Sequence, residues 1–168
     1  MPRRVVTGVD QSGKSVFVSD TEVDGTFVAG SGTMYDVWGV DGAFEAPNDG
    51  GTPSYTTFFP PSVGFRYVVA TFPPDTSGED APPPQDVDAL LPGAGEFLEA
   101  DNPGMHTTQT VDIGVVLSGE LWLELDDGAE VQIGPGDIVV QNGTRHAWRN
   151  KSDQPCTVAY ALVGAQAH

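Results

Sequence analysis

Histidine is the side chain most able to do chemistry near neutral pH, as acid, base or metal ligand. Two of the chain's three histidines, His106 and His146, fall in one stretch running from Asp101 to Asn150. Around them the stretch consists of short strand-like runs and tight turns. Two imidazoles held there offer a pair of metal-ligating nitrogens, or a pair of hydrogen-bonded polar groups inside a barrel. The residue types mark a site without naming its reaction.

Two other features invite a chemical reading. Gly8-Val9-Asp10-Gln11-Ser12-Gly13-Lys14-Ser15 fits the phosphate-binding loop pattern letter for letter. That loop works only when a helix begins at the lysine, because the free N–H groups of the helix start hold the phosphates. Here SVFVSD follows, a strand pattern, so the residues are read as a polar turn between strands Arg4–Gly8 and Ser15–Ser19. Cys156 lies in the strand-like run CTVAYALVG, with nothing nearby to lower its pKa, and is expected to be a small core residue. As the single cysteine it excludes an internal disulfide.

The elements that must position the histidines are strands. Ser118-Gly119, Asp127-Gly128, Gly134-Pro135-Gly136 and Asn142-Gly143 separate the runs 112–117, 120–125, 130–133, 137–141 and 146–150. Such dipeptides supply the positive φ that two-residue hairpins require. Leu121, Leu123 and Leu125 alternate with Trp122 and Glu124, a period of two that indicates half-buried antiparallel strands. Further strands are expected at 26–29, 33–40, 64–72 and 156–163, with a short one at 55–59. Arg66 is expected at an edge or rim. Residues 73–104 are rich in proline and acid and read as a mobile excursion bordering the site, with one helical turn at 86–91. His168 is expected to be disordered. No window has a sustained helical period, so the fold class is all-β, a sandwich or barrel.

At 168 residues and 39% hydrophobic content the chain is expected to be one domain. A formal net charge of −17 argues against nucleic acid and anionic membranes as partners. No apolar run spans a membrane, and MPRRVV lacks the apolar core of a signal peptide. The expected location is cytoplasmic.

The spacing around the histidines resembles the cupin superfamily. The first cupin motif runs histidine, any residue, histidine, three or four residues, glutamate, six residues, glycine. Here it reads His106, Thr107, Thr108, Gln109-Thr110-Val111, Asp112 and, after six residues, Gly119. The second reads Gly136-Asp137, the Asn142-Gly143-Thr144 turn, His146 and Asn150. The likeness covers about residues 101–163. Thr108 stands where a second histidine is usual, and Asp112 stands for glutamate. The resemblance implies a double-stranded β-helix, or jelly-roll barrel. It also implies a chain reversal near Gln109–Thr110 that brings Asp112 back towards His106, since six residues of straight strand cover about 20 Å.

On that resemblance His106, Asp112 and His146 are the expected metal ligands. A two-histidine, one-carboxylate set would suit Fe, Mn, Ni or Zn. Thr108, Val116, Trp148 and Trp38 are expected to line the pocket, and Arg145 and Arg149 to point outward. Three functions stay open at this point: a metal-dependent small-molecule enzyme (dioxygenase, isomerase, lyase or decarboxylase), a non-catalytic ligand-binding or sensor barrel, and an assembly scaffold. A homodimer formed through sheet edges and exchanged N-terminal strands is expected, because pairing removes an exposed edge.

Overall fold

Alternation along the strands decides which residues face inward. The computed structural model describes residues 1–52, 54–75 and 86–166. Its strands are β1 (Arg3–Val9), β2 (Ser15–Glu22), β3 (Gly25–Val28), β4 (Gly32–Val40), β5 (Phe65–Phe72), β6 (Thr110–Ser118), β7 (Leu121–Glu124), β8 (Glu130–Ile133), β9 (Ile138–Gln141), β10 (Ala147–Arg149) and β11 (Cys156–Gly164). One short helix, α1 (Val87–Leu90), is capped by the Asp86 carboxylate, which accepts from the N–H groups of Asp88 and Ala89. Every strand pairing is antiparallel. A six-stranded sheet runs β3-β4-β5-β11-β6-β9, a three-stranded sheet runs β10-β7-β8, and β1-β2 forms a separate hairpin.

The two larger sheets face each other. Val68, Ala70, Val116, Val158 and Leu162 point inward from the first and meet Leu121 and Ile133 of the second. Leu121 is fully buried, so Leu121→Ala would cost about 2–5 kcal/mol. This is the all-β jelly roll expected from the sequence. The motif glycine Gly119 has a steric reason. Its φ is 76°, and a Cβ there would stand 2.4 Å from the Pro155 carbonyl oxygen, so no larger residue closes the β6–β7 turn.

The phosphate-loop pattern forms the β1–β2 turn. Asp10 Oδ1 accepts from the N–H groups of Ser12 (2.8 Å) and Lys14 (3.0 Å) and from the Ser12 hydroxyl (2.7 Å). Ser15 then opens a strand rather than a helix. The described residues contain no helix long and apolar enough to cross a membrane.

Several sequence expectations need correction. Of the four turns, only Asp127-Gly128 joins paired strands, β7 and β8; those at Ser118-Gly119, Gly134-Pro135-Gly136 and Asn142-Gly143 carry the chain from one sheet to the other instead of closing hairpins. Residues 55–59 are not a strand. Their polar backbone is spent on other partners: Phe58 N–H donates to Pro92 O (2.8 Å), and Thr57 O accepts from Arg66. Arg66 is not at a rim but is wholly buried. Its guanidinium donates to the carbonyls of Val40, Phe65 and Thr57, pairs with Asp41, and lies 4.0 Å from the centre of the Tyr55 ring. A guanidinium is tolerated inside only when its donors are matched in this way.

Of the excursion at 73–104, residues 76–85 lie outside the described residues. The part from Asp86 to Gly104 packs on the barrel. Arg145 holds Glu99 through two hydrogen bonds of 2.6 and 2.7 Å, and Arg149 donates to Pro103 O at 2.8 Å. Both arginines point away from the cavity, and both tie down the segment that leads to His106. His168 also lies outside the described residues.

Candidate functional site

His106 sits on no regular strand. It forms isolated bridges to Leu98 and His146. Its N–H donates to His146 O and His146 N–H donates to His106 O, each at 2.9 Å. A residue pair that exchanges both bonds puts its side chains on one face. The two imidazole centres accordingly stand 4.1 Å apart, tilted by 49°. Trp148 meets His146 edge-on at 5.5 Å.

The rings are fixed in the same way. His106 Nδ1 lies 3.0 Å from Gly104 O, and His146 Nδ1 lies 2.9 Å from Thr144 O. A carbonyl oxygen only accepts, so each Nδ1 carries the proton and each neutral ring keeps its lone pair on Nε2. No described residue hydrogen-bonds either Nε2. Burial, reinforced by His106, pushes the His146 pKa down to about 4. Burial also lowers His106, opposed by the Gly104 carbonyl and by Glu99. Both rings are neutral at physiological pH.

Asp112 comes from the middle of the sheet. On β6 it stands opposite Leu162 of β11 and Gln141 of β9. It is 6% exposed, and its Oδ1 has no partner among the described residues. Burial raises its pKa to about 6, with the Thr110 hydroxyl pulling the other way. Thr110 in turn donates to Thr108 Oγ1 at 2.8 Å.

His106, His146, Asp112, Trp148 and Tyr160 line one cavity of about 130 Å³, whose other walls are mostly apolar. Val87, Leu91, Ala94 and Leu98 line it from the excursion, Met34 from β4, and Phe58 and Phe59 from the loop that precedes β5. Of the other pocket residues expected from the sequence, Thr108, Val116 and Trp38 do not line it. Thr108 is buried beside Thr110, and Val116 belongs to the packed core. Trp38 is turned aside by a bulge between Asp36 and Trp38, and its ring lies under Arg4, 5.8 Å away. Sequence reasoning missed Tyr160. The signal was its parity with Val158 and Leu162 on β11, all three buried.

The donor chemistry suits a divalent ion: two neighbouring neutral imidazoles, each with its lone pair on Nε2, and a buried carboxylate, Asp112, in the wall of the same cavity. The set is not closed. Among the described residues no three His, Cys, Asp or Glu side chains are gathered closely enough to share an ion.

The family described as "Cupin domain" matches residues 92–163. Oryzines biosynthesis cluster protein J of Aspergillus oryzae is 34% identical over 125 residues, which cover 61% of this chain and 69% of that protein. Phomopsin biosynthesis cluster protein D of Diaporthe leptostromiformis is 46% identical over 68 residues, covering 38% of this chain and 36% of that protein. The cupin-domain-containing oxidoreductase srdB of Neurospora crassa is 35% identical over 69 residues, covering 40% and 35%. The chain thus spans about a third of the length of the last two.

Proposed function

The chain belongs to the cupin superfamily, and from that premise we propose that it is a small-molecule enzyme whose reaction centre is the polar end of the barrel cavity. His106 and His146 would hold a divalent ion there, with Asp112 as third ligand. The observation that carries this reading is the matched pinning of the two imidazoles. Each Nδ1 is tied to a backbone carbonyl, which fixes the tautomer that leaves Nε2 free and is the usual support behind a metal-bound histidine. The unpartnered Asp112 oxygen supports it further. Binding through all three side chains requires a rearrangement of the site, since as placed they do not gather.

Fe, Mn, Ni and Zn all suit such a donor set. When bound, the ion would polarise a substrate oxygen as a Lewis acid. The chain's own part is to exclude water with apolar walls and to keep both imidazoles neutral. Among dioxygenase, isomerase, lyase and decarboxylase chemistry, a relative described as an oxidoreductase favours the first. A net charge of −17 favours a small molecule over nucleic acid or an anionic membrane as partner. The second reading is a metal-free ligand-binding barrel, favoured by the unclosed ligand set.

Metal analysis separates the two. Protein purified without chelator or nickel resin should carry about one ion per chain, and His146→Ala should lose it while staying folded. Equal metal in both proteins, or reproducible absence from the wild type, hands first place to the binding-protein reading.

A further inference from the structure

The walls of the cavity restrict the charge of what can enter it. None of the chain's seven Lys and Arg residues lines the cavity. Five of them are held in ion pairs elsewhere: Arg3 by Asp20, Arg66 by Asp41, Arg145 by Glu99, Arg149 by Glu124 and Lys151 by Glu130. Arg4 donates to Val37 O and lies over Trp38, and Lys14 falls in the β1–β2 turn. A carboxylate or phosphate ligand would therefore meet no guanidinium or ammonium there.

The excursion builds the same kind of wall out of an acidic sequence. Val87, Leu91, Ala94 and Leu98 line the cavity. They recur every three or four positions, the spacing of one face of a chain that turns helically at α1 and again at Gly95–Phe97. The acids between them turn elsewhere. Asp86 caps α1, Asp88 accepts from Gly95 N–H at 2.8 Å, Glu96 is exposed, and Glu99 is paired with Arg145. Asp112 is the one Asp or Glu among the described residues that line the cavity, and it is buried with its Oδ1 closed off from the surface. An ion of either sign that leaves water for such walls loses its hydration with little to replace it.

Phe58, Phe59, Phe72 and Trp148 add aromatic surface to the aliphatic walls. We propose that the cavity takes an uncharged, apolar molecule and discriminates against organic anions and cations alike. A net charge of −17 adds to the barrier for anions. This rests on the cavity being the functional site, as proposed above, and concerns the chain's own walls, not the ion.

Benzyl alcohol, benzoate and benzylammonium test it, being alike in frame and different in charge. In chelator-treated protein near neutral pH, with enough salt to screen the surface, an amide and indole chemical-shift titration should place benzyl alcohol beside Trp148 and Leu91. It should bind there about tenfold tighter than either ion. Leu98 lines the cavity and is 37% exposed, so Leu98→Lys sets an ammonium at the rim without burying it. That variant, with its fold checked by the same spectra, should tighten benzoate about fivefold and leave benzyl alcohol within about twofold. The proposal is overturned if benzyl alcohol does not enter the cavity, if either ion binds there as tightly, or if Leu98→Lys leaves benzoate unchanged. Metal content measured on the same preparations before chelation keeps the two readings apart. Metal that survives His146→Ala sinks the ion reading alone, and equal binding of the three probes with His146-dependent metal sinks this one alone.

Discussion

The imidazoles of His106 and His146, with centres 4.1 Å apart, are so close that a positive charge on one disfavours a positive charge on the other. A charge on the first is one of the causes that push the second down to about 4. The backbone bridge between them makes this a fixed property of the site.

A pH dependence of stability follows for the metal-free protein. His146 has a folded pKa of about 4 against about 6.5 unfolded, so between these values the unfolded state binds more protons. Its stabilising effect is complete above pH 6.5 and is lost as pH falls towards 4. Asp112 works in the opposite sense. Its folded pKa is about 6 against about 3.9 unfolded, so its contribution is complete below pH 3.9 and is lost as pH rises through 6. Each displacement is worth roughly 3 kcal/mol, so the two nearly cancel. Asp112→Asn should unmask the histidines. Urea melts of this variant should gain about 3 kcal/mol between pH 4 and 6.5, where wild type changes little. Parallel curves for the two proteins would defeat the assignment.

Thr108 occupies the position of a usual ligand, but its hydroxyl accepts from Thr110. Thr108→Ala should leave metal affinity within about threefold of wild type. A tenfold loss of metal would make Thr108 a ligand after all.

Arg66 is the polar centre of the β4–β5 side of the sheet. Arg66→Met should cost about 3 kcal/mol in chemical denaturation, since it strands the carbonyls that now accept from the guanidinium. Arg66→Lys should recover only part, because a point ammonium cannot reach several carbonyls in different directions. A loss under 1 kcal/mol for Arg66→Met would show that those carbonyls find other partners.

The outer face of β6 and β9 is apolar and exposed. Ile113 stands opposite Val140, and Val115 opposite Ile138. Ile113, Leu117, Ile138 and Val140 are each about half exposed or more. Contiguous apolar surface of this kind marks an interaction site, and we expect a homodimer that covers it. Light scattering at micromolar concentration should give twice the chain mass, and Ile113→Lys with Val140→Lys should halve it. A monomeric wild type would dispose of the idea.

Much of this was legible in the sequence because it is local. A Gly-containing dipeptide sets its own turn, and period-two alternation sets which residues of one strand share a face, wherever the rest of the chain lies. That is why the turns from Ser118-Gly119 to Asn142-Gly143, and the alternation of Leu121 and Leu123 with Trp122 and Glu124, could be read directly, although which strands those turns would pair could not. The shared register of two motifs placed His106 and His146 together.

Tertiary structure decided the rest, for reasons of pairing between distant strands. A one-residue bulge after Asp36 reverses the parity of β4 and sends Trp38 to Arg4 instead of the cavity. Arg66 shares parity with Val68 and Ala70, yet only Val40, Asp41, Tyr55 and Thr57, brought from elsewhere in the chain, make its burial tolerable. The place of Tyr160 in the cavity wall depends on Gly114 and Trp148 meeting its ring from two other strands. Local sequence fixes which way a side chain points along its own strand, and only the packed sheets fix what it meets there.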